Sequence, residues 1–334
     1  MKWGILMKDL IIKELIENKS TFISGQEISN KYQITRAAVW KHIKKLKEEG
    51  YDIESVTNKG YRLIEEPDKL ETAYLDFEKN WIIGKEYLYF KEIDSTNAFA
   101  KQIAMDKQEG TIILAEKQTK GKGRLGRIWT SDEEVGIYMT VILKPDMLPS
   151  DAVMMTQVAA AAVVKAMQDT FQCDAKIKWP SDIILDNKKV CGILTELSGE
   201  IESLNYIILG IGVNVNQINK DFTEELQDKA TSIRICLGEK VYRKKLLLTI
   251  LDNLNKMYKA FANEKSLDNV MDICRQHSAT LGKDVRVSKN HTIIEGKAID
   301  ITDRGGLMIQ DKAGNQTEII SGEVSVRGLY RYVD

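Results

Sequence analysis

The sequence predicts an α+β protein of several domains, and three observations carry that prediction. Three short helices and a hairpin can be traced through residues 1–65, strands and helices then alternate around a loop rich in glycine and cations, and short alternating strands follow near the C-terminus. With 334 residues, 43% of them hydrophobic, the chain has material for two or three cores. The expected division is 1–65, 66–275 and 276–334, the first boundary falling at the polar, proline-bearing stretch Glu65–Asp68.

In the first segment, Leu6, Leu10 and the pair Leu15/Ile16 put apolar groups on one face of a helix ending near Asn18. Ser24 followed by Glu27 has the spacing of a capping box and opens a second helix that stops around Tyr32. Thr35 caps a third, which turns Val39, Ile43 and Leu46 inward until Gly50 ends it. Tyr51–Val56, a turn at Thr57–Gly60 and Tyr61–Ile64 form a hairpin, so the order is that of a winged helix-turn-helix.

Charge indicates what this segment touches. The whole chain has a net charge of −1 and steers nothing, yet from Ile28 to Lys47 there are six basic residues (Lys31, Arg36, Lys41, Lys44, Lys45, Lys47) and no acidic one. Thr35, Arg36, Ala37, Ala38, Trp40 and Lys41 fall on the first turns of the third helix, where base edges are reached, and Lys59 at the wing tip can meet a phosphate. DNA binding is expected, as a dimer, because one recognition helix reads too few base pairs. A winged helix used only for protein contact is the alternative.

Further along, Tyr87–Ile93 reads as a strand, and Asp94-Ser95-Thr96-Asn97 as a cap-rich turn into a helix through Met105. These polar residues either cap the helix or hold a polar ligand head. Thr111–Lys117 and Val135–Leu143 read as strands, Ser150 as the cap of an alanine-rich helix over 151–171, and Ile183–Leu185 with Lys189–Leu194 as a hairpin. Lys189 is either a solvated lysine or one aimed inward as a point charge for phosphate. Asn205–Asn216 is a buried strand whose glycines allow close backbone approach, and helices cover 243–263 and 267–277. The spacing of alternating strands at 284–288, 292–301, 306–310 and 316–320 predicts a small β-barrel.

The most informative stretch is QTKGKGRLGRIW, residues 118–129. Gly121, Gly123 and Gly126 allow backbone N–H groups to approach an anion, and Lys120, Lys122, Arg124 and Arg127 neutralise it. It reads as a phosphate or carboxylate clamp, with a solvated basic loop as the plain alternative. A Walker A loop is excluded because Arg127 and Ile128 follow Gly126, and a dinucleotide turn because no helical period begins there. A protein kinase is excluded because His42, His277 and His291 lie in no HRD setting.

Four scattered cysteines without a C-x-x-C pair argue against a zinc site or a disulfide framework and for a reducing, cytoplasmic setting. The first apolar stretch is interrupted by Lys8, Asp9 and Lys13, and no apolar run reaches about 18 residues, so neither export nor a membrane partner is expected.

Ser95-Thr96-Asn97, then Gln118 with GKGRLGR, then KWPSD at 178–182, KKVCGIL at 188–194 and GIGVN at 210–214 together resemble the biotin protein ligases. With the winged helix in front, the chain is similar to the bifunctional ligases that also repress the biotin operon. Two positions depart from the family pattern: Lys122 stands where G-R-G-R-x-G-R has arginine, and Ser181 where K-W-P-N-D has asparagine. Lysine keeps the charge but loses the bidentate fork, and a hydroxyl replaces an amide.

The resemblance implies a central α/β catalytic domain similar to the class II synthetase and lipoate ligase fold, and an SH3-like C-terminal barrel with Arg327 near the nucleotide or in a purely structural role. It implies biotin, ATP and Mg²⁺, the metal arriving with ATP and held by no protein cage. Biotin would be activated to biotinyl-5′-AMP and passed to a lysine of the biotin carboxyl carrier domains of acetyl-CoA carboxylase and pyruvate carboxylase-type enzymes. Lys189 and Arg124 are the expected catalytic residues, and Ser95, Thr96, Asn97, Gln118, Lys122, Gly123, Arg124 and Lys189 the expected binding set. Gly121, Arg127, Trp129 and Lys178 are further candidates, Trp129 as an apolar wall. A homodimer on palindromic operator DNA is expected once the adenylate is bound. Two rivals stand beside this reading, a lipoate-type ligase, whose R-R-x-S-G-G-G signature is missing, and a ligand-sensing regulator without catalysis.

Overall fold

The computed structural model describes residues 6–19, 21–200, 202–264, 266–289, 292–320 and 322–326. Contacts divide the chain into two compact units, Met1–Leu75 and Asp76–Asp334.

The first unit contains α1 (Met7–Glu17), α2 (Gly25–Tyr32), α3 (Arg36–Glu48), β1 (Asp52–Val56) and β2 (Gly60–Glu65). Ser24 and Glu27 form the reciprocal capping box, with Glu27 N donating to Ser24 Oγ at 3.1 Å and Ser24 N to the Glu27 carboxylate at 2.8 Å. Thr35 Oγ1 accepts from Ala38 N at 3.1 Å and starts α3. Val39, Ile43 and Leu46 turn inward as expected. On α1 the buried face is Ile11, Ile12 and Leu15, whereas Leu6 is exposed: the helix begins at Met7, which leaves Leu6 outside its first turn. The hairpin pairs Ile53 with Leu63 and is pinned to the chain between α1 and α2 by reciprocal 2.9 Å bonds between Ile23 and Tyr61. Gly60 sits where a Cβ would lie 2.1 Å from Ile23 O, at φ +107°, so the wing closes only with glycine there.

The second unit is built on a seven-stranded sheet, β3 (Glu86–Ile93), β4 (Thr111–Gln118), β5 (Gly136–Leu143), β6 (Lys176–Lys178), β7 (Asp182–Leu185), β8 (Lys188–Gly199) and β9 (Leu204–Asn214), in the order β3-β4-β5-β9-β8-β7-β6. Only the β3/β4 pair is parallel, and α4 (Thr96–Ile103) makes its crossover. β5 is buried on both faces because α4 lies against one and α5 (Val153–Phe171) covers the sheet with α8 (Arg243–Glu264). Ala159–Ala162 are fully buried, as close packing of α5 requires. Ser150 is not the cap of α5: it lies in a 3₁₀ turn at Pro149–Asp151, and Ala152 holds the N-cap position with no side-chain bond. Two short helices, α6 (Glu224–Gln227) and α7 (Ile233–Leu237), were not expected, since neither is long enough to show a period; α9 (Asp268–Gln276) was.

The C-terminal strands β10 (Asp284–Lys289), β11 (Thr292–Ile301), β12 (Leu307–Gln310), β13 (Gln316–Ile319) and β14 (Glu323–Val326) form an antiparallel sheet in the order β13-β12-β11-β10-β14. β14 is additional to the expected strands, and among the described residues β13 and β14 do not pair, so the sheet is not a closed barrel. No described helix is long and apolar enough to cross a membrane.

Candidate functional site

The glycine loop leaves the end of β4 and folds back as a narrow hairpin. Gln118 bridges to Ser131 and Lys122 to Ile128; Trp129 N donates to Gly121 O at 3.0 Å and Gly123 N to Arg127 O at 2.8 Å. The tip is a single 3₁₀ turn, Arg124–Gly126, with Leu125 and Gly126 at φ +56° and +75°. The glycines serve different ends. A Cβ on Gly121 would lie 2.3 Å from Trp129 O, so the hairpin demands glycine there, whereas a Cβ on Gly123 would only touch Arg127 O at 3.4 Å. Nothing in the loop's own packing requires Gly123.

The two arginines of the loop are tied to neighbouring elements. Arg124 donates to Ser181 Oγ at 3.2 Å and to Gly322 O at 2.9 Å, and Arg127 pairs with Glu323 at the start of β14. Thus Ser181, one of the two departures from the family pattern, receives a guanidinium. Lys189 points inward: its Nζ is 2.6 Å from Asp182 Oδ1 and 5.4 Å from the centre of the Trp129 ring. Its backbone is clamped as well, with Lys189 N donating to Lys229 O at 2.8 Å and Thr231 N to Lys189 O at 2.9 Å, so the segment carrying α6 runs alongside it. Lys178 on β6 has its pKa lowered, first by burial and against the opposing pull of Asp182.

At the far end, Ser95, Thr96 and Asn97 are buried at the start of α4 and make a polar corner with Gln118. Ser95 Oγ caps the helix by accepting from Ala98 N at 3.3 Å. Thr96 donates through both N (2.8 Å) and Oγ1 (3.0 Å) to Gln118 Oε1, while Gln118 Nε2 donates to Ser131 Oγ at 2.9 Å. Gln118 is thereby oriented by both ends of its amide. Capping the helix and lining the corner are compatible for this triplet.

Between these groups the floor lacks side chains. Gly192 on β8 and Gly212 on β9 are ladder partners, and a Cβ on either would lie 2.9 or 2.7 Å from the Trp129 indole; a Cβ on Gly210 would lie 2.2 Å from Asn97 Oδ1. The result is a cavity of about 660 Å³. Ser95, Thr96, Asn97, Gln118, Lys122, Gly123, Arg124, Arg127, Trp129, Lys178 and Lys189 all line it, whereas Gly121 acts behind it and Arg327 lies outside the described residues. Sequence reasoning did not find Asp182, Thr140, Ser131 or Glu323, whose roles arise from cross-strand meetings; the repeated glycines of GIGVN were the one local signal for the floor. Among the described residues no three His, Cys, Asp or Glu side chains gather as a metal site.

In the first unit the outer face of α3 presents Arg36, Ala37, Trp40, Lys41 and Lys44 to solvent, with Trp40 59% exposed and Lys44 Nζ 5.8 Å from its ring centre. Lys59 at the wing stands over Phe22 at 5.8 Å.

A winged-helix unit carrying a cationic outer face and, in the same chain, a cation-lined cavity on a mixed sheet define a DNA-binding protein with a small-molecule site. Residues 8–62 match the helix-turn-helix (HTH) domain profile, 89–214 that of the biotin/lipoate A/B protein ligase family, and 280–327 the biotin protein ligase C-terminal domain. The bifunctional ligase/repressor BirA of Bacillus spizizenii is 38% identical over 92% of this chain and 96% of its own length, and that of Bacillus subtilis 37% over the same shares. A biotin protein ligase from Aquifex aeolicus, solved with biotin and ATP, is 34% identical and superposes with a TM-score of 0.65 over 73% of this chain and 99% of that one. The chain belongs to the bifunctional ligase/repressor branch of the biotin protein ligase family.

Proposed function

We infer that this protein joins biotin to acceptor proteins at the expense of ATP and represses transcription through its helix-turn-helix unit. The observation that carries the enzymatic half is the convergence of Arg124, Lys178 and Lys189 with the polar corner of Ser95–Asn97 and Gln118 on one cavity. Two anions must meet in such a reaction, and cations held in place offset their repulsion and the charge growing on the α-phosphate.

In the first step the biotin carboxylate attacks the α-phosphorus of ATP, the bond to the bridging oxygen of the β-phosphate breaks, and pyrophosphate leaves. We assign Lys189 and Arg124 to the reacting phosphate, Lys122, Gly123, Arg127 and Lys178 to the surrounding phosphate and carboxylate groups, and Ser95, Thr96, Asn97 and Gln118 to biotin's polar ring and carboxylate, with Trp129 as an apolar wall. Arg124 and Lys189 leave Ser181 and Asp182 for the ligand as it enters. Mg²⁺ bound with the nucleotide would supply positive charge to the pyrophosphate oxygens, and Asp182 and Glu323 are the residues that would hold it. A metal held mainly by phosphates needs one or two protein carboxylates, and Asp182 and Glu323 face the cavity, so the residues fit this delivery. In the second step the ε-amine of a carrier-domain lysine attacks the mixed anhydride carbonyl and AMP leaves. No nucleophile of this chain is consumed.

The acceptors we propose are the carrier domains of acetyl-CoA carboxylase and pyruvate carboxylase-type enzymes. Homodimerisation of the adenylate-bound form on a palindromic operator, the three-domain division at 65/66 and 275/276, an SH3-like path of the C-terminal strands, and a cytoplasmic site of action complete the proposal. Incubation of the pure protein with biotin, ATP and a carrier domain is expected to label the carrier lysine. Biotin-dependent DNA binding with no labelling would instead select a regulator without catalysis, and labelling by lipoate but not biotin a lipoate-type ligase.

A further inference from the structure

The amide of Asn97 can sit in its pocket two ways round, and its neighbours choose one. Glu196, on the stretch of β8 that runs past the end of β7, places Oε2 3.0 Å from Asn97 Nδ2, and the carbonyl of Leu194 lies 3.5 Å away on the same side. A carboxylate and a carbonyl only accept hydrogen bonds, so the nitrogen must face them. On the other side Thr140 Oγ1 is 2.6 Å from Asn97 Oδ1, and the space Oδ1 occupies is the space a side chain on Gly210 would need. The second oxygen of Glu196 is held at 2.5 Å by Lys101 of α4, which fixes the carboxylate in turn.

We propose that Glu196 is a positioning residue for the ligand: it holds the Asn97 amide with its oxygen toward the cavity floor, so that the polar corner accepts hydrogen bonds from ring N–H groups. One lone pair of Oδ1 faces the Thr140 hydroxyl, whose single proton is shared between Asn97 Oδ1 at 2.6 Å and Thr96 Oγ1 at 2.8 Å, and the other serves the ligand. A cyclic urea, with two N–H donors, is the ring chemistry that such a corner selects, and a flipped amide would oppose donor to donor. This rests on the reading of Asn97 as part of the biotin subsite.

The test is biotin binding to the full chain by calorimetry, alongside steady-state ligation. Glu196→Ala is expected to raise the Kd for biotin about tenfold, the effect of one half-buried hydrogen bond to a carboxylate lost with its donor left unpaired, while kcat at saturating biotin and the KM for ATP stay unchanged. Asn97→Asp sets two carboxylates against each other and weakens binding at least as much. Combining it with Glu196→Gln restores the contact with donor and acceptor exchanged, and most of the affinity returns. Lys101→Met keeps the Glu196 to Asn97 bond and stays within about threefold of the parent, which separates amide orientation from the ion pair. Wild-type affinity in Glu196→Ala, or a double variant no better than Asn97→Asp alone, overturns the proposal. If Asn97→Ala itself binds biotin normally, the underlying subsite reading falls with it, whereas a weak Asn97→Ala beside a normal Glu196→Ala removes the proposal alone. Should Glu196→Ala fail to fold, the exchanged pair decides, because it conserves both side-chain volumes.

Discussion

On α3, Arg36 and Lys41 stand exposed on the outer face of a helix whose inner face is core, and among the described residues Lys44 faces only Glu48 and Trp40 of the same helix. Around the cavity, Arg124, Arg127 and Lys189 are each tied to an oxygen on another element: Ser181 and Gly322, Glu323, and Asp182. The contrast separates two ways of presenting a cation to phosphate. A rigid helix meets a polyanion by releasing counterions, without rearranging itself. Arg124, Arg127 and Lys189 would have to exchange partners for an anion, so occupation of that site would change how the loop and β14 are held. Charge alone would not have told the two apart.

The largest effect expected on the cavity side of this comparison is that of Arg124→Ala. It is expected to slow biotin-dependent pyrophosphate exchange by about 10²–10³-fold, as loss of a preorganised charge-stabilising donor does, and to abolish retention of the adenylate while the fold stays intact. Exchange within tenfold of the parent would break the assignment. Gly212→Ala sharpens the steric half: its methyl would sit 2.7 Å from the Trp129 indole, so a loss of about 1–3 kcal/mol in melting experiments is expected together with weaker biotin binding. Unchanged melting and binding would show that the floor is not set by that contact.

On the helix side, Arg36→Ala and Lys41→Ala are each expected to reduce the slope of log K for DNA against log salt by about 1, with ligation rates untouched. An unaltered slope in both would mean that α3 does not meet phosphates. The smallest effect concerns Lys178, whose pKa burial holds below the ordinary 10.5. The folded protein therefore sheds this proton before the unfolded chain does, and between the lowered value and 10.5 stability contributed by this residue rises with pH. Lys178→Met should flatten that rise in melting temperature, and an identical pH profile would contradict the burial.

Much of the first unit was legible because each signal is local. The Ser24 and Glu27 capping box, the Thr35 cap and the inward set Val39, Ile43 and Leu46 depend on residues no more than a few positions apart. The buried face of α1 was placed only in part: Leu15 is buried and Ile16 packs against the same core, but Leu6 is exposed, since apolar spacing alone did not reveal that the helix starts after it. In the second unit the long strands and helices were legible, while Ser150 was misread because a proline-led 3₁₀ turn precedes α5. β14 and the short helices α6 and α7 carried too few residues to show a period.

The sequence by itself determined which residues carry charge and hydroxyls, which segments are helix or strand, and that a glycine-bearing cationic loop follows β4. Only the tertiary structure decided that residues near positions 95, 124, 189 and 323 share one cavity, that Gly121 and Gly212 are sterically demanded while Gly123 is not, and which way the Asn97 amide is turned. The physical reason is range. Caps and periodicity act through neighbours along the chain, but the cavity is made where β4, β8 and β9 lie side by side, and the order of strands in a sheet leaves no mark on any one of them.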